Sequence, residues 1–384
     1  MILYELIDYG TLKLLWWALL GVLLIAFAAS DGFDMGVTAL LPFVARTETE
    51  RRVAIGTVEA TWEGNQVWFI VGGGSIFAAW PPLYAVSFSG FYFAMFLVLA
   101  TLIFRPVAFK YRSKRPDPAW REAWDWALFA AGFVPALIFG VAVGNVLQGV
   151  PFRFTDEMRI VYQGGFLALL NPFALSCGLL SIAMLVMHGG AWLGLKATGT
   201  VAERGRRYGS YAALAVIVLF AANGLAVALA MPGYRITSAI DPHMASDPLN
   251  KTVVRESGAW LVNFARHPWM MIAPLLGFAG AVGTFAGLRL RWEIATFLAS
   301  KAAVVGIIAT VGLSMFPFIL PTSTDPASSL TVWDSASSHA TLFNMLVVTA
   351  IFLPIIVAYT AWVYSVLWGK VDEASVSQQD EQHY

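Results

Sequence analysis

Charge is scarce in this chain of 384 residues: only 12% of positions are Asp, Glu, Lys or Arg, about half the usage of an ordinary soluble domain. Acidic and basic residues balance at 24 each, so there is no net field to draw nucleic acid or an acidic partner. Cysteine is almost absent. Cys177 alone excludes an internal disulfide and any cysteine-based metal cluster. Histidine is rare too, with five residues, and no Gly-rich phosphate loop, HExxH pattern, short-period repeat or low-complexity tract is present. Apolar residues fill the space: 58% of the chain, with mean hydropathy +0.69, 15 Trp and 27 Phe. A chain of this kind is an all-α polytopic membrane protein.

A spanning helix needs about 20 mostly apolar residues. Nine stretches qualify: 12–30, 53–78, 83–106, 122–147, 166–188, 209–231, 268–288, 294–319 and 340–368. Residues 1–370 form one integral-membrane domain, and 371–384 read as a polar cytoplasmic tail. Glu5 and Asp8 before the first span and Lys13 at its start do not make a basic stretch, so it reads as a retained helix and not a cleaved signal. Placing the N-terminus outside puts 16 Lys and Arg in inner segments, seven in outer ones and Lys301 inside a span. That bias predicts an outer N-terminus and a cytoplasmic C-terminus.

Carboxylates at bilayer depth need a reason, because each costs about 2.5–3.5 kcal/mol on insertion scales. The second stretch holds two, Glu59 and Glu63, beside Trp62, Asn65 and Gln66. A helix starting near Val53 puts Glu63 roughly 15 Å from the inner surface. Glu59 then lies one turn nearer the cytoplasm on the same stripe. Two such carboxyls repel as anions, so at least one holds a proton and can pass it inward, with Asn65, Gln66 and water as relays. The competing reading makes these side chains packing bonds only. Asp31 and Asp34, in Ser30-Asp31-Gly32-Phe33-Asp34-Met35-Gly36, fall at the cytoplasmic end of the first span. They suit a proton entry port, or a helix-end cap paired with Arg46, Arg51 or Arg52.

The remaining polar residues say less. Asp125 sits at the inner edge of the fourth span, and Lys301 is placed to snorkel toward the inner interface. Only His188, closing the fifth span, and His339 are placed to ligate a haem, and they fall at opposite membrane faces. The chain is therefore not expected to ligate haem or any other metal by itself.

Taken in order, these segments resemble subunit II of the bacterial cytochrome bd quinol oxidases. The likeness is carried by Ser30 to Gly36, Trp62-Glu-Gly-Asn-Gln-Val-Trp68, Phe88-Ser-Gly-Phe-Tyr92, Phe104-Arg-Pro106 with Tyr111-Arg-Ser-Lys114, and Trp124-Asp-Trp126. It continues through Gly144 to Pro151, Leu170-Asn-Pro-Phe173, Asn250 to Asn263, Met315-Phe-Pro-Phe318 and Leu330-Thr-Val-Trp-Asp334. No one motif is decisive, but ten in order over the whole chain are specific.

The resemblance implies nine helices as two four-helix bundles plus one peripheral helix, in the inner membrane. It implies a partner, subunit I, that holds haems b and d and the quinol-oxidising loop, and reduces oxygen to water with electrons from ubiquinol or menaquinol. Small single-helix accessory subunits accompany some members. This chain would supply an assembly surface, a cytoplasmic proton path and, in some members, a site for a structural quinone. Asp34 and the pair Trp62-Glu63 match positions the family associates with proton delivery. Asp can stand at the Glu63 position, so Glu63 keeps the carboxyl with one more carbon of reach. Glu59 lies outside the family pattern. The relay so implied runs from Asp31 and Asp34 past Glu63 to the partner's haem, generating voltage without a pump. A secondary transporter, which also uses midplane carboxylates, and a purely structural membrane subunit are the other readings of the same residues.

Overall fold

The structure is a computed structural model that describes residues 3–374; most of the tail expected over 371–384 lies outside the described residues. Helices α1 (Tyr9–Val44), α2 (Glu48–Gly56), α3 (Trp62–Ala79), α4 (Pro81–Gly90), α5 (Tyr92–Leu102) and α6 (Phe104–Tyr111) come first. They are followed by α7 (Pro118–Gln148), α8 (Pro172–Lys196), α9 (Gly199–Leu229), α10 (Val262–Arg266), α11 (Ile272–Leu290), α12 (Glu293–Met315) and α13 (His339–Val366). Among the described residues, eight helical stretches are long and apolar enough to cross a membrane.

Several boundaries depart from expectation. The first span, expected over 12–30, is a continuous 36-residue helix, α1, so Asp31 and Asp34 lie in its interior and not at its end. The second, expected over 53–78, is broken. α2 ends at Gly56, a turn follows, and α3 begins only at Trp62. α3 is not among the eight spanning stretches, because Glu63, Asn65 and Gln66 crowd its first turn. The third segment, expected over 83–106, is one path kinked into α4, α5 and α6. The fifth begins at Pro172 rather than 166, since Asn171 caps the Ala174 N–H and Pro172 fits the first turn. It runs on to Lys196, so His188 does not close a span. The eighth stops at Met315 instead of 319.

α8 is the most enclosed crossing and packs against α1, α7, α9 and α12. Lipid offers no hydrophobic drive between helices, so close backbone approach through small residues does the work. Gly36 on α1 meets Gly189 on α8 this way: a Cβ on either would collide with the backbone of the other helix. α11 and α12 form a close pair joined to α9. α13 touches α1 and α3 and is otherwise open, with 6% of its most apolar stretch buried.

The two ends of the bundle are built differently. One carries three antiparallel hairpins: β1 (Phe152–Phe154) with β2 (Ile160–Tyr162), β3 (Pro232–Ile236) with β4 (Val253–Ser257), and β5 (Phe318–Leu320) with β6 (Leu330–Thr331). Here Lys13, expected as a loop cation, is fully buried. Its Nζ donates to the carbonyls of Pro242, Met244 and Trp333 at 3.1, 3.0 and 2.6 Å. The buried pair Lys251–Asp334 closes the same end at 2.8 Å, and burial pushes the Asp334 carboxyl up despite the lysine.

The opposite, basic end is stapled by ion pairs around α2. Arg112 grips Asp125 (2.6 Å) and Glu48 (2.8 Å), and Arg51 adds a second bond to Asp125 at 2.9 Å. Arg51, expected beside Asp31 and Asp34, is therefore committed elsewhere. Glu50 completes a capping box with Thr47 and accepts from Thr200, Arg204 and the backbone of Arg46. Burial alone would raise its carboxyl, but the Thr200, Arg46, Arg204 and Thr47 donors outweigh it and hold it down to about 2.

Two tests follow from this packing. Gly189→Val should cost more than the roughly 1–3 kcal/mol of ordinary overpacking, because the obstacle is backbone, and should lower the thermal unfolding midpoint in detergent. Glu50 is depressed from an ordinary 4.5 to about 2, so its stabilisation is complete above pH 4.5 and fades as pH falls toward 2. The gap in unfolding midpoint between the parent and Glu50→Gln should be flat above pH 4.5 and close below it. A gap independent of pH would contradict the assignment.

Candidate functional site

α1 is enclosed on every side from Asp31 to Leu41. Within that stretch Asp31 and Asp34, three residues apart, project from adjoining positions of one face. Both are fully buried. Such groups persist in a bundle only with a countercharge or donors.

The countercharge is Arg105. It lies in the first turn of α6, is itself 0% exposed, and its Nη1 donates to Asp31 Oδ1. Counted from sequence as an inner-loop cation, Arg105 is instead part of the core. Asp34 is held by Asn65 on α3, whose Nδ2 donates to Oδ2 at 2.7 Å. Tyr364 on α13 donates to Asn65 Oδ1 at 2.7 Å. An unbroken polar line thus runs Tyr364, Asn65, Asp34, and beside it Asp31 and Arg105, linking four helices. Asp31 Oδ2, Asp34 Oδ1 and the Nε and Nη2 of Arg105 have no protein partner among the described residues.

Trp62 opens α3 one turn from Asn65. Its ring is buried in the core at 5.7 Å from Phe109, with which it walls off this side of the polar line. Glu63 does not join the buried set. It is exposed on the outer surface of α3 in the first turn, with no ion-pair or hydrogen-bond partner among the described residues, rather than ten residues inside a helix. Glu59 falls in the turn before α3, not on a continuous helical stripe with Glu63. It is exposed, within electrostatic reach of Lys110 and Arg52. Further along the same face of α3, Val67, Ile70 and Phe77 are exposed.

His188 and His339, the two histidines singled out from the sequence, are both engaged by protein partners. His188 lies mid-helix in α8 with both ring nitrogens engaged, Nδ1 with Ser300 Oγ at 2.7 Å and Nε2 with the Ala29 carbonyl at 3.1 Å. Its ring stacks on Phe297. His339 uses Nε2 on the Ile7 carbonyl at 2.7 Å and stacks on Tyr9. Among the described residues no group of three or more His, Cys, Asp or Glu is arranged to hold a metal ion. Lys301 reaches no carboxylate there either; its ammonium stands over the Phe297 ring at 4.7 Å.

Arg105 and Tyr364 are the site residues that sequence reasoning missed. Arg105 stood in the Phe104-Arg-Pro106 motif, directly after an apolar run ending at Phe104, which is the signal that could have found it. Tyr364 had none, since a tyrosine near the end of a span is ordinary interfacial material.

Comparison with known proteins reports on the whole chain. It is 47% identical over 378 residues to a probable cytochrome oxidase subunit 2 of Haemophilus influenzae, covering 98% of this chain and 100% of that one. It is 46% identical, with the same coverage, to the cytochrome bd-I ubiquinol oxidase subunit 2 of Escherichia coli. Identity is 27% to the cytochrome bd ubiquinol oxidase subunit 2 of Bacillus subtilis, over 93% of this chain and 96% of that one. The fold matches a chain of the bd oxidase from Geobacillus thermodenitrificans at TM-score 0.67 and 14% identity, covering 93% of this chain and 99% of that one. Residues 12–367 match the family described as cytochrome bd terminal oxidase subunit II, and the chain, with its buried carboxylates on one long helix, belongs to that family.

Proposed function

We propose that this chain, as subunit II of a bd-type ubiquinol oxidase, carries protons from the cytoplasm toward a haem-bearing subunit I and provides the surface on which that subunit assembles. The observation that carries the reading is the contrast between two fully buried carboxyls, Asp31 and Asp34, and an unpartnered Glu63 two residues from the Asn65 that binds Asp34. Arg105 supplies one positive charge to two carboxyls. Electroneutrality in the low-dielectric core then favours one proton shared between them, as a relay requires. Their unbonded oxygens leave acceptor sites for a transferred proton.

Glu63 marks the exit. A carboxylate left facing lipid is costly, so the apolar face of α3 that it shares, continued by open α13, is the face that subunit I covers. Haems b and d belong to that partner, which supplies the reduction of oxygen to water with electrons from ubiquinol or menaquinol. This chain's own residues bind, shield and pass protons: Asp31 and Asp34 hold them, Asn65 and Tyr364 orient the carboxyls, and Trp62 excludes bulk water. Uptake from the cytoplasm alone makes turnover electrogenic without a pump. The helix contacts support nine crossings, with α3 as the second and α4 to α6 together as the third. The proposed grouping is two four-helix bundles with the open helix α13 outside both. The basic residues clustered at the α2 end support a cytoplasmic C-terminus and an outer N-terminus in the bacterial inner membrane. A bound structural quinone and small accessory helices are compatible with the exposed apolar surface.

Glu63→Gln in the assembled complex should lower quinol-oxidase turnover and voltage generation by roughly 10²-fold, with normal haem absorbance, while Glu63→Asp retains most of the rate. Parental turnover in the Gln variant would leave Glu63 a packing residue. A transporter would instead purify without a haem-bearing partner.

A further inference from the structure

A cavity of about 500 Å³ opens at the basic end between α9 and α11, away from the carboxylates of the relay. Five arginines line it, Arg204, Arg206 and Arg207 from α9 with Arg289 and Arg291 from the end of α11, against a single acidic lining residue, Glu203. Two of the five are anchors. Arg204 is tied to Glu50 and the Val44 carbonyl, and Arg206 to Glu293 and the Gly194 carbonyl. Glu293 is shared with Lys370 at 2.6 Å, so it cannot neutralise Arg206 fully. Arg291 reaches Glu203 only loosely, at 3.4 Å.

The other two are free of carboxylates. Among the described residues none lies in ion-pair reach of Arg207 or Arg289, yet neither side chain is loose. Arg207 donates through Nε to the Tyr211 hydroxyl at 3.4 Å, and the Arg289 guanidinium stands 5.5 Å from the Phe285 ring centroid. Two guanidinium groups are thus set at the rim with their remaining donors unspent, a fork geometry suited to phosphate oxygens.

What lies above the cavity identifies the ligand class. On α9 the stripe from Arg207 continues through Tyr211, Leu214 and Val218, all exposed. On α11 the stripe from Arg289 continues through Phe285 to the exposed Val282. Residues spaced three and four apart share a helix face, so each free arginine stands at the foot of an apolar track leading into the bilayer. We propose that this cavity binds the phosphate of an anionic phospholipid, with its acyl chains laid along the two tracks. A free phosphate or phosphorylated solute shares the headgroup chemistry but makes no use of the tracks. Basic pockets between transmembrane helices are suited to such headgroups.

The test uses the whole complex with its partner subunit, delipidated in neutral detergent and titrated with phosphatidylglycerol, phosphatidylcholine or inorganic phosphate. Native mass spectrometry counts bound lipid, and thermal unfolding reads the stabilisation. Phosphatidylglycerol should bind and raise the unfolding midpoint, while phosphatidylcholine and inorganic phosphate should not. The double variant Arg207→Gln with Arg289→Gln, both on exposed side chains, should weaken phosphatidylglycerol binding about 30-fold, from about 1 kcal/mol per basic residue at a membrane surface. A control, Lys114→Gln with Arg115→Gln, removes the same charge from another exposed segment of the basic end and should bind like the parent. Equal loss in both variants would mean diffuse surface charge and no site. Equal stabilisation by inorganic phosphate would overturn the lipid assignment in favour of a soluble anion. Equal binding of phosphatidylcholine would remove the role of the arginines altogether.

Discussion

Arg105 donating to Asp31 inside a helical bundle is the contact on which the rest of the architecture depends. Desolvating either ion alone costs several kcal/mol, and here both side chains are 0% exposed. The pair therefore requires α6 to enter the core beside the middle of α1, which the kinked path α4–α5–α6 allows and a straight span would not. It also requires α1 to be continuous, since a helix ending at residue 30 would carry Asp31 and Asp34 to an interface where water could compete for Arg105. The break between α2 and α3 answers to the same centre: it starts a fresh helix at Trp62 and brings Asn65 within 2.7 Å of Asp34.

Around this polar centre the bundle is tightened where it must exclude water and left open where it must meet something else. Gly36 lets α8 approach the helix that carries both aspartates, two residues from Asp34. Trp62 and Phe109 close another side. The ends are held by polar rather than apolar means, arginine–carboxylate clamps around α2 at one and a lysine caged by carbonyls at the other. Ion pairs of this partly buried kind fix geometry more than they add stability. Fixed geometry is what a proton path needs, since its donors and acceptors must stay within hydrogen-bond reach.

Much of this was legible in the sequence. The helical membrane fold, the approximate course of the crossings and the unusual placing of Asp31 and Asp34 in apolar surroundings follow from charge scarcity and from the sequence around them. What was not legible came from compensation between distant residues. Hydropathy ends the first span near residue 30 because Asp31 and Asp34 count as polar; nothing local reveals that Arg105, 74 positions away, neutralises one of them. The same residue was assigned to an inner loop because the positive-inside rule counts cations without asking whether they are paired. Lys13 misled in the same way. The late start of α8 was different: Asn171 followed by Pro172 is a readable cap, and the apolar run before it outweighed that signal.

The position of Glu63 has a consequence for how such a subunit can exist. Asp31 and Asp34 each take a donor from another helix of the same polypeptide. Glu63 does not: it stands in the first turn of α3 on a helix face shared with Val67, Ile70 and Phe77. A carboxylate facing lipid on that surface would be unfavourable, and the described residues of this chain offer it no donor. A second protein surface resolves both difficulties, because it can offer donors to the carboxyl and cover the apolar side chains at once. The requirement falls on the partner as a matter of dielectric balance. A chain that gives its buried acids donors of its own while leaving Glu63 exposed on an apolar helix face is therefore suited to meet a second protein surface there.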